Sequence, residues 1–317
     1  MRALRFSSFG GPEVLGVEDV PEPAAGPGEV LVEVHAGGVN FADTERRRGL
    51  YLANEPLPET LGFEGAGVVV ALGPGVAAHW LGRRVAFTTP RAHAERCVVA
   101  MAKLIELPAE LDFERGAAFP VQALTAWHVL HTLGRVTPED TVLVHSAAGG
   151  VGQLLVQLAR EAGAQVIGTV SREAKAPLVA ALGAHHVLTR DAGFDAALAR
   201  VAPRGASLVL EAVGAGLDVL STLAALGRWV TYGTAAGAPA PLDLEKLYEK
   251  SASVSAFWLR TRLPADVEER ARREVLARLV GGRLRQELHV APLEEAARVH
   301  RRLEAGLTTG KWVLRVR

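Results

Sequence analysis

The run Thr141-Val142-Leu143-Val144-His145-Ser146-Ala147-Ala148-Gly149-Gly150-Val151-Gly152-Gln153-Leu154-Leu155-Val156-Gln157-Leu158-Ala159 decides the fold. An apolar, β-forming segment runs into a glycine turn, and the turn opens a helix with apolar residues at helical spacing. Glycine lets the backbone pass close to a pyrophosphate, and the helix start offers free N–H groups with a positive dipole. The spacing departs from G-x-G-x-x-G, because Ala147 holds the first position in Ala147-x-Gly149-x-x-Gly152. Gly150 and Val151 complete the turn. A glycine motif alone is a weak signal. The strand before it, the helix after it and a second strand at the right distance make dinucleotide binding the stronger reading. The bland alternative is a tight turn with no ligand.

Downstream, strand patterns at 165–170, 186–189, 207–211, 228–232 and 254–258 alternate with helical stretches, notably 173–182 and 217–226. With 141–146 they predict six strands in an α/β, doubly wound parallel sheet. The end of the second strand selects the cofactor. NAD binders usually place Asp or Glu there for the ribose 2′-hydroxyl. This chain has Ser171, then Arg172, with Lys175 one helical turn on. Small plus basic residues suit a 2′-phosphate, so the expected cofactor is NADPH. In the alternative, Arg172 and Lys175 are a solvated helix start and Glu173 holds the ribose.

Upstream, short apolar runs at 30–34, 66–72, 84–88 and 95–100 are separated by Gly and Pro turns, as in a β-rich domain. Residues 113–133 read as helix interrupted by Pro120. Past residue 258 come two amphipathic helices, 265–280 and 294–305, and a closing strand, 311–316. That strand could rejoin the first domain. The expected division is 1–115 with 260–317 as a discontinuous substrate domain, and 116–259 as the dinucleotide-binding domain. The chain has 317 residues, 49% of them hydrophobic, enough for two cores. Its 35 basic and 35 acidic residues cancel, which argues against nucleic acid or an anionic membrane as a main partner. One cysteine, Cys97, allows no internal disulfide and fits a cytoplasmic location. No signal peptide or membrane-spanning run is expected.

The chain resembles the zinc-free quinone oxidoreductase branch of the medium-chain dehydrogenase/reductase superfamily. The resemblance lies in Gly10–Leu15, Gly38–Asp43, Leu61–Val69, Leu124–Ala126, Ser146–Gly152, Leu210–Gly214 and Gly310-Lys311, in family order across the chain. It implies a GroES-like β domain beside a Rossmann domain, with nicotinamide at the base of the cleft between them. Zinc-dependent relatives carry Cys where this chain has Asn40 and His where it has Phe63, and their four-cysteine lobe has no counterpart. Asn and Phe cannot replace a thiolate and an imidazole, so no bound metal is expected. By the same resemblance, Asn40 contacts cofactor or substrate, with Asp43 either beside it or acting as a helix cap. Thr125 lies beside the nicotinamide. Tyr51 donates to a quinone or carbonyl oxygen, or walls the pocket. Gly214, Gly233 and Lys311 are expected to help hold the cofactor. The implied activity is NADPH-dependent reduction of quinones without metal. The alternatives are reduction of activated C=C bonds (enones, enals), and an NADPH-binding sensor or RNA-associating protein with little turnover. A homodimer pairing through the last sheet strand, near 254–258, is expected by analogy. His128, His131, His185 and His186 read as packing or junction residues, Cys97 as buried filler, and Arg46-Arg47-Arg48 as a solvated helix face.

Overall fold

Val30, Val32 and Val34 share one face of a long strand whose other face carries Glu29, Leu31, Glu33 and His35, and each valine is fully buried. Burial of this kind is worth roughly 1.5–3 kcal/mol per side chain. That strand anchors the first unit of the computed structural model, which describes residues 1–238 and 241–317. In chain order the unit has β1 (Arg2–Phe6), β2 (Gly16–Asp19), β3 (Glu29–Val39), α1 (Phe41–Arg47), β4 (Glu59–Thr60), β5 (Glu64–Leu72), β6 (Arg84–Thr88), β7 (Arg96–Ala100), β8 (Leu104–Glu106) and α2 (Phe113–Ala118). β3 pairs antiparallel with β5 and with β7. Its core gathers Phe6, Val30, Val32, Val69, Phe87, Val99 and Leu314.

The second unit begins within α3 (Pro120–Trp127), which runs into a π-helical segment at His128–Leu133. Strand and helix then alternate: β9 (Thr141–Val144), α4 (Gly150–Glu161), β10 (Gln165–Val170), α5 (Ala176–Ala181), β11 (His186–Thr189), α6 (Phe194–Val201), β12 (Ala206–Glu211), α7 (Val219–Thr222), β13 (Leu223–Thr231), α8 (Leu244–Lys250) and β14 (Ser253–Ala256). All pairings are parallel, in the order β11-β10-β9-β12-β13-β14. This is the doubly wound sheet the sequence predicts. α9 (Ala265–Val280) follows. Then β15 (Leu288–Pro292), α10 (Ala296–Glu304) and β16 (Lys311–Arg315) complete the first unit, where β16 pairs antiparallel with β3 and parallel with β15.

The units are Met1–Val121 with Glu287–Arg317, and Gln122–Gln286. The expected boundaries near 115 and 260 therefore move to 121 and 286. α9 belongs to the second unit, where Arg278 pairs with Glu161 and lies 5.1 Å from the Trp127 ring centroid. The helix expected over 217–226 is one turn, Val219–Thr222, and β13 starts directly after it. Leu226 there has φ +61°, which no α-helix permits. The solvated-face reading of Arg46 and Arg47 is also corrected: both are buried, paired with Glu59 and Glu304. Only Arg48 of the three is exposed. Cys97 is buried in β7, with its thiol pKa raised by burial.

Candidate functional site

In the second unit, β9 ends at Val144 and the chain turns at Ser146, whose φ is +54°. The Ala147 amide donates to the Thr169 carbonyl at 2.9 Å, tying the turn to β10. A methyl is tolerated at 147 because β10 carries Gly168 opposite it: a Cβ on Gly168 would lie 2.9 Å from the Ala147 Cβ. Gly152 has the reverse constraint. A Cβ there would come within 2.3 Å of the Ser146 carbonyl oxygen, so the first turn of α4 needs glycine to pack on the loop. Gly149 is the N-cap of α4, and the Gln153 amide makes the first helical bond back to it. Among the described residues the amides of Gly150, Val151 and Gly152 have no acceptor. Three orphan donors at the start of a 12-residue helix leave positive dipole and free N–H groups at the turn. Gln286 Nε2 donates to the Gly150 carbonyl at 3.2 Å, fixing the helix entry.

At the end of β10, Ser171 and Arg172 are exposed and Lys175 is half-buried. Arg172 has no carboxylate partner among the described residues. Burial, then the charge of Arg172, lowers the Lys175 pKa. Two neighbouring cations thus repel each other where the sequence places a 2′-phosphate. Glu173 is exposed beside them. Gly214 and Gly233 lie where two loops zip together: the Ala235 and Ala236 amides donate to the Ala212 and Val213 carbonyls at 2.9 and 2.7 Å. Gly214 has φ +79°, and a Cβ there would stand 2.2 Å from the Gly237 carbonyl oxygen. Thr125 is buried in α3.

In the first unit the predicted polar residues do meet. Asn40 caps α1, and Asp43 closes the capping box by accepting the Asn40 amide at 2.7 Å. Asn40 Nδ2 donates to Glu64 Oε1 at 2.7 Å, and Asn40 Oδ1 accepts from Lys311 Nζ at 2.9 Å. These two bonds fix the orientation of the amide. Lys311 also donates to Glu64 Oε1, while Glu64 Oε2 accepts the Val121 amide at 2.7 Å. Lys311 and Glu64 are both 0% exposed. The Lys311 ammonium thus holds Asn40 and Glu64 rather than facing solvent. Burial pushes the Asp43 pKa up to about 7, against the opposing Asn40 amide and Lys311 charge. Tyr51 packs edge-on to Phe63 with ring centroids 5.6 Å apart. Among the described residues no group of three or more His, Cys, Asp or Glu side chains is placed to hold a metal ion.

Sequence reasoning missed Glu64 as a partner of Asn40, and it missed the buried histidines. His93 Nε2 lies 3.0 Å from the Gly38 carbonyl, and burial pushes its pKa down to about 4. Among the described residues His300 has no hydrogen-bond partner on either ring nitrogen. Burial, with the charge of Arg47, pushes its pKa down to about 3. Both lie below the unfolded value of about 6.5. The unfolded chain therefore takes up these protons as pH falls below 6.5, while the folded chain takes them up only near 4 and 3. Each contributes stability above pH 6.5 that is lost toward the folded pKa, at about 1.4 kcal/mol per pH unit. Asp43 works the other way between pH 7 and its unfolded value, offsetting one histidine. The expected result is a lower denaturation midpoint at pH 5 than at pH 7. His300→Gln should flatten the dependence. An identical midpoint at both pH values would contradict the assignment.

A β unit of GroES-like form and a parallel sheet with a dinucleotide turn between its first strand and helix together define a medium-chain dehydrogenase/reductase. The alcohol dehydrogenase GroES-like domain family model matches residues 26–116, and the zinc-binding dehydrogenase model matches residues 150–277. A Pseudomonas aeruginosa quinone oxidoreductase is 36% identical over 99% of each chain. A 2-haloacrylate reductase from a Burkholderia species is 33% identical over 96% of each. The crystal structure of Escherichia coli quinone oxidoreductase complexed with NADPH superposes with a TM-score of 0.94 at 30% identity, covering 99% of this chain and 100% of that one. The chain belongs to the quinone oxidoreductase branch of the medium-chain dehydrogenase/reductase superfamily. Among the described residues no helix is long and apolar enough to cross a membrane.

Proposed function

We propose that the protein reduces quinones with NADPH. The observation that carries the cofactor is the pair Arg172 and Lys175 at the end of β10, with the Arg172 guanidinium unpaired with any carboxylate among the described residues. The residues fit the group: the orphan amides of 150–152 meet the pyrophosphate, and Ser171, Arg172 and Lys175 meet the 2′-phosphate. The bound nicotinamide supplies two-electron reduction of an electron-poor acceptor. The chain's own residues position it. Thr125 is assigned to the nicotinamide, and Asn40 and Tyr51 to the acceptor oxygen. Lys311 and Glu64 hold the Asn40 amide in one orientation, with Asp43 capping the helix that begins beside it. Gly214 keeps its assignment to the cofactor side through the loop closure it permits, as does Gly233. The test is NADPH oxidation against a panel of quinones, enals and ketones; turnover of quinones with no turnover of ketones is expected. Turnover of ketones alone would overturn the reading.

A second reading is reduction of an activated C=C bond, favoured by the similarity to the 2-haloacrylate reductase. The same panel separates the two.

We also propose a cytoplasmic homodimer. β14 is the outermost strand of its sheet and has β13 on one side only. An open edge is a pairing site, and a two-fold partner would extend the sheet. Sedimentation at micromolar concentration should give twice the chain mass. A monomer there would count against it.

A further inference from the structure

We infer that Arg46 is a positioning residue for the acceptor: from beneath the loop of residues 48–58 it fixes the place of Tyr51, an inference that rests on the assignment of Tyr51 to the acceptor oxygen above. The loop joins α1 to β4 without a helix or strand of its own. At its start the Leu50 amide donates to the Glu45 carbonyl at 2.9 Å. It turns where the Glu55 amide donates to the Leu52 carbonyl at 3.1 Å, and it enters β4 at Glu59, the register partner of Phe6. Ala53, Asn54 and Glu55 in the turn are exposed. Among the described residues the hydrogen bond that ties this turn to the rest of the unit comes from Arg46. Its Nη2 donates to the Glu55 carbonyl at 3.4 Å and also to the Glu59 carboxylate. One guanidinium nitrogen thus clamps the turn of the loop to the loop's end. Tyr51 stands at the near side of that turn, edge-on to Phe63.

Stability alone does not account for an arginine here. Arg46 is 1% exposed, and its Nε and Nη1 have no acceptor among the described residues. Leaving buried donors unmet is costly. The guanidinium carbon lies 5.4 Å and 5.6 Å from the Phe6 and Phe9 ring centroids, which offsets part of that cost. Burial raises the Glu59 pKa in spite of the Arg46 charge beside it, so desolvation outweighs the pairing. Apolar side chains of similar volume often hold a fold as well as a buried ion pair does, or better. They cannot reach across the turn. A guanidinium carries its donors in a rigid fork, so it can hold the Glu55 carbonyl and Glu59 in one fixed relation. A loop released from that clamp carries Tyr51 with it, and a displacement of about 1 Å is enough to lower turnover strongly.

The test is a double-mutant cycle read by steady-state kinetics with NADPH and 1,4-benzoquinone, beside the denaturation midpoint and the NADPH Kd of each variant. Arg46→Met with Glu59→Met removes the pair at similar volume. Its midpoint and NADPH Kd should stay near the wild-type values, while kcat/KM for the quinone falls roughly ten-fold to a hundred-fold. Tyr51→Phe should lower kcat/KM in wild type and add little in the pair-deleted variant, because the clamp acts through Tyr51. Arg46→Lys keeps a charge against Glu59 and lacks the fork, so it should fold in any case and show part of the same loss, with the same dependence on Tyr51. If wild type turns over no quinone, the functional reading fails and this inference with it. If wild type turns over quinone and Tyr51→Phe changes nothing, quinone reduction stands while the Tyr51 assignment and the role of Arg46 both fall. If Tyr51→Phe matters and the Arg46 variants keep full kcat/KM, or the two losses simply multiply, only the role of Arg46 is overturned. A midpoint and an NADPH affinity that fall together with activity in Arg46→Lys would also overturn it, and make Arg46 a residue of the fold alone.

Discussion

Replacing Lys311 with methionine is expected to destabilise the first unit by about 3–5 kcal/mol, the cost of leaving a buried charge without its partner. Lys311 and Glu64 are both fully buried, and the ammonium bridges Glu64 Oε1 and Asn40 Oδ1. Methionine fills similar volume but cannot donate. Glu64 would keep the Asn40 Nδ2 and Val121 amide donors, and lose the ammonium paired with it. The double variant Lys311→Met with Glu64→Gln removes both charges, so its loss should be well below the sum of the single losses. The readout is the chemical denaturation midpoint of each variant. NADPH affinity should change little, because the ammonium holds side chains of its own unit. A ten-fold loss of NADPH affinity at unchanged stability would instead restore Lys311 as a cofactor ligand, as the family resemblance first implies.

The contrast between Lys311 and the glycine turn shows which features a sequence exposes. The turn from Ala147 to Gly152 is legible because its constraints are local: strand, turn and helix periods change within a dozen residues. Ser171, Arg172 and Lys175 are legible because their place is set by distance from that turn. Lys311 and Glu64 stand 247 positions apart, and only the pairing of β16 with β3 brings the end of the chain to Asn40. No period or spacing carries that. Arg46 and Arg47 fail for the same reason. Charge pattern reads as exposure, whereas their partners Glu59 and Glu304 arrive from β4 and from the end of α10. The amphipathic pattern of 265–280 announces a helix correctly but does not name the core it covers. The packing of Arg278 on Glu161 and Trp127 does.

Arg172→Ala and Lys175→Ala should each weaken NADPH binding by roughly ten-fold to a hundred-fold, the range of about 1.5–3 kcal/mol for a charge-assisted contact. The 2′-phosphate is nearly a dianion at neutral pH. Arg172 is exposed and has no carboxylate partner among the described residues, so little is given up when it turns to the ligand. Lys175 is half-buried with a lowered pKa, and a nearby dianion stabilises its charged form. NADH lacks the phosphate, so its affinity should stay nearly constant in both variants. Glu173 separates the two readings of this corner. If it only repels the phosphate, Glu173→Ala should tighten NADPH slightly and leave NADH unchanged. If it holds the ribose, the same variant should weaken NADH strongly. Added salt should weaken NADPH binding more than NADH binding in wild type, and the gap should narrow in either cation variant. Equal losses for both cofactors on removing Arg172 or Lys175 would mean these residues serve the start of α5 rather than the phosphate, and the cofactor assignment would fall.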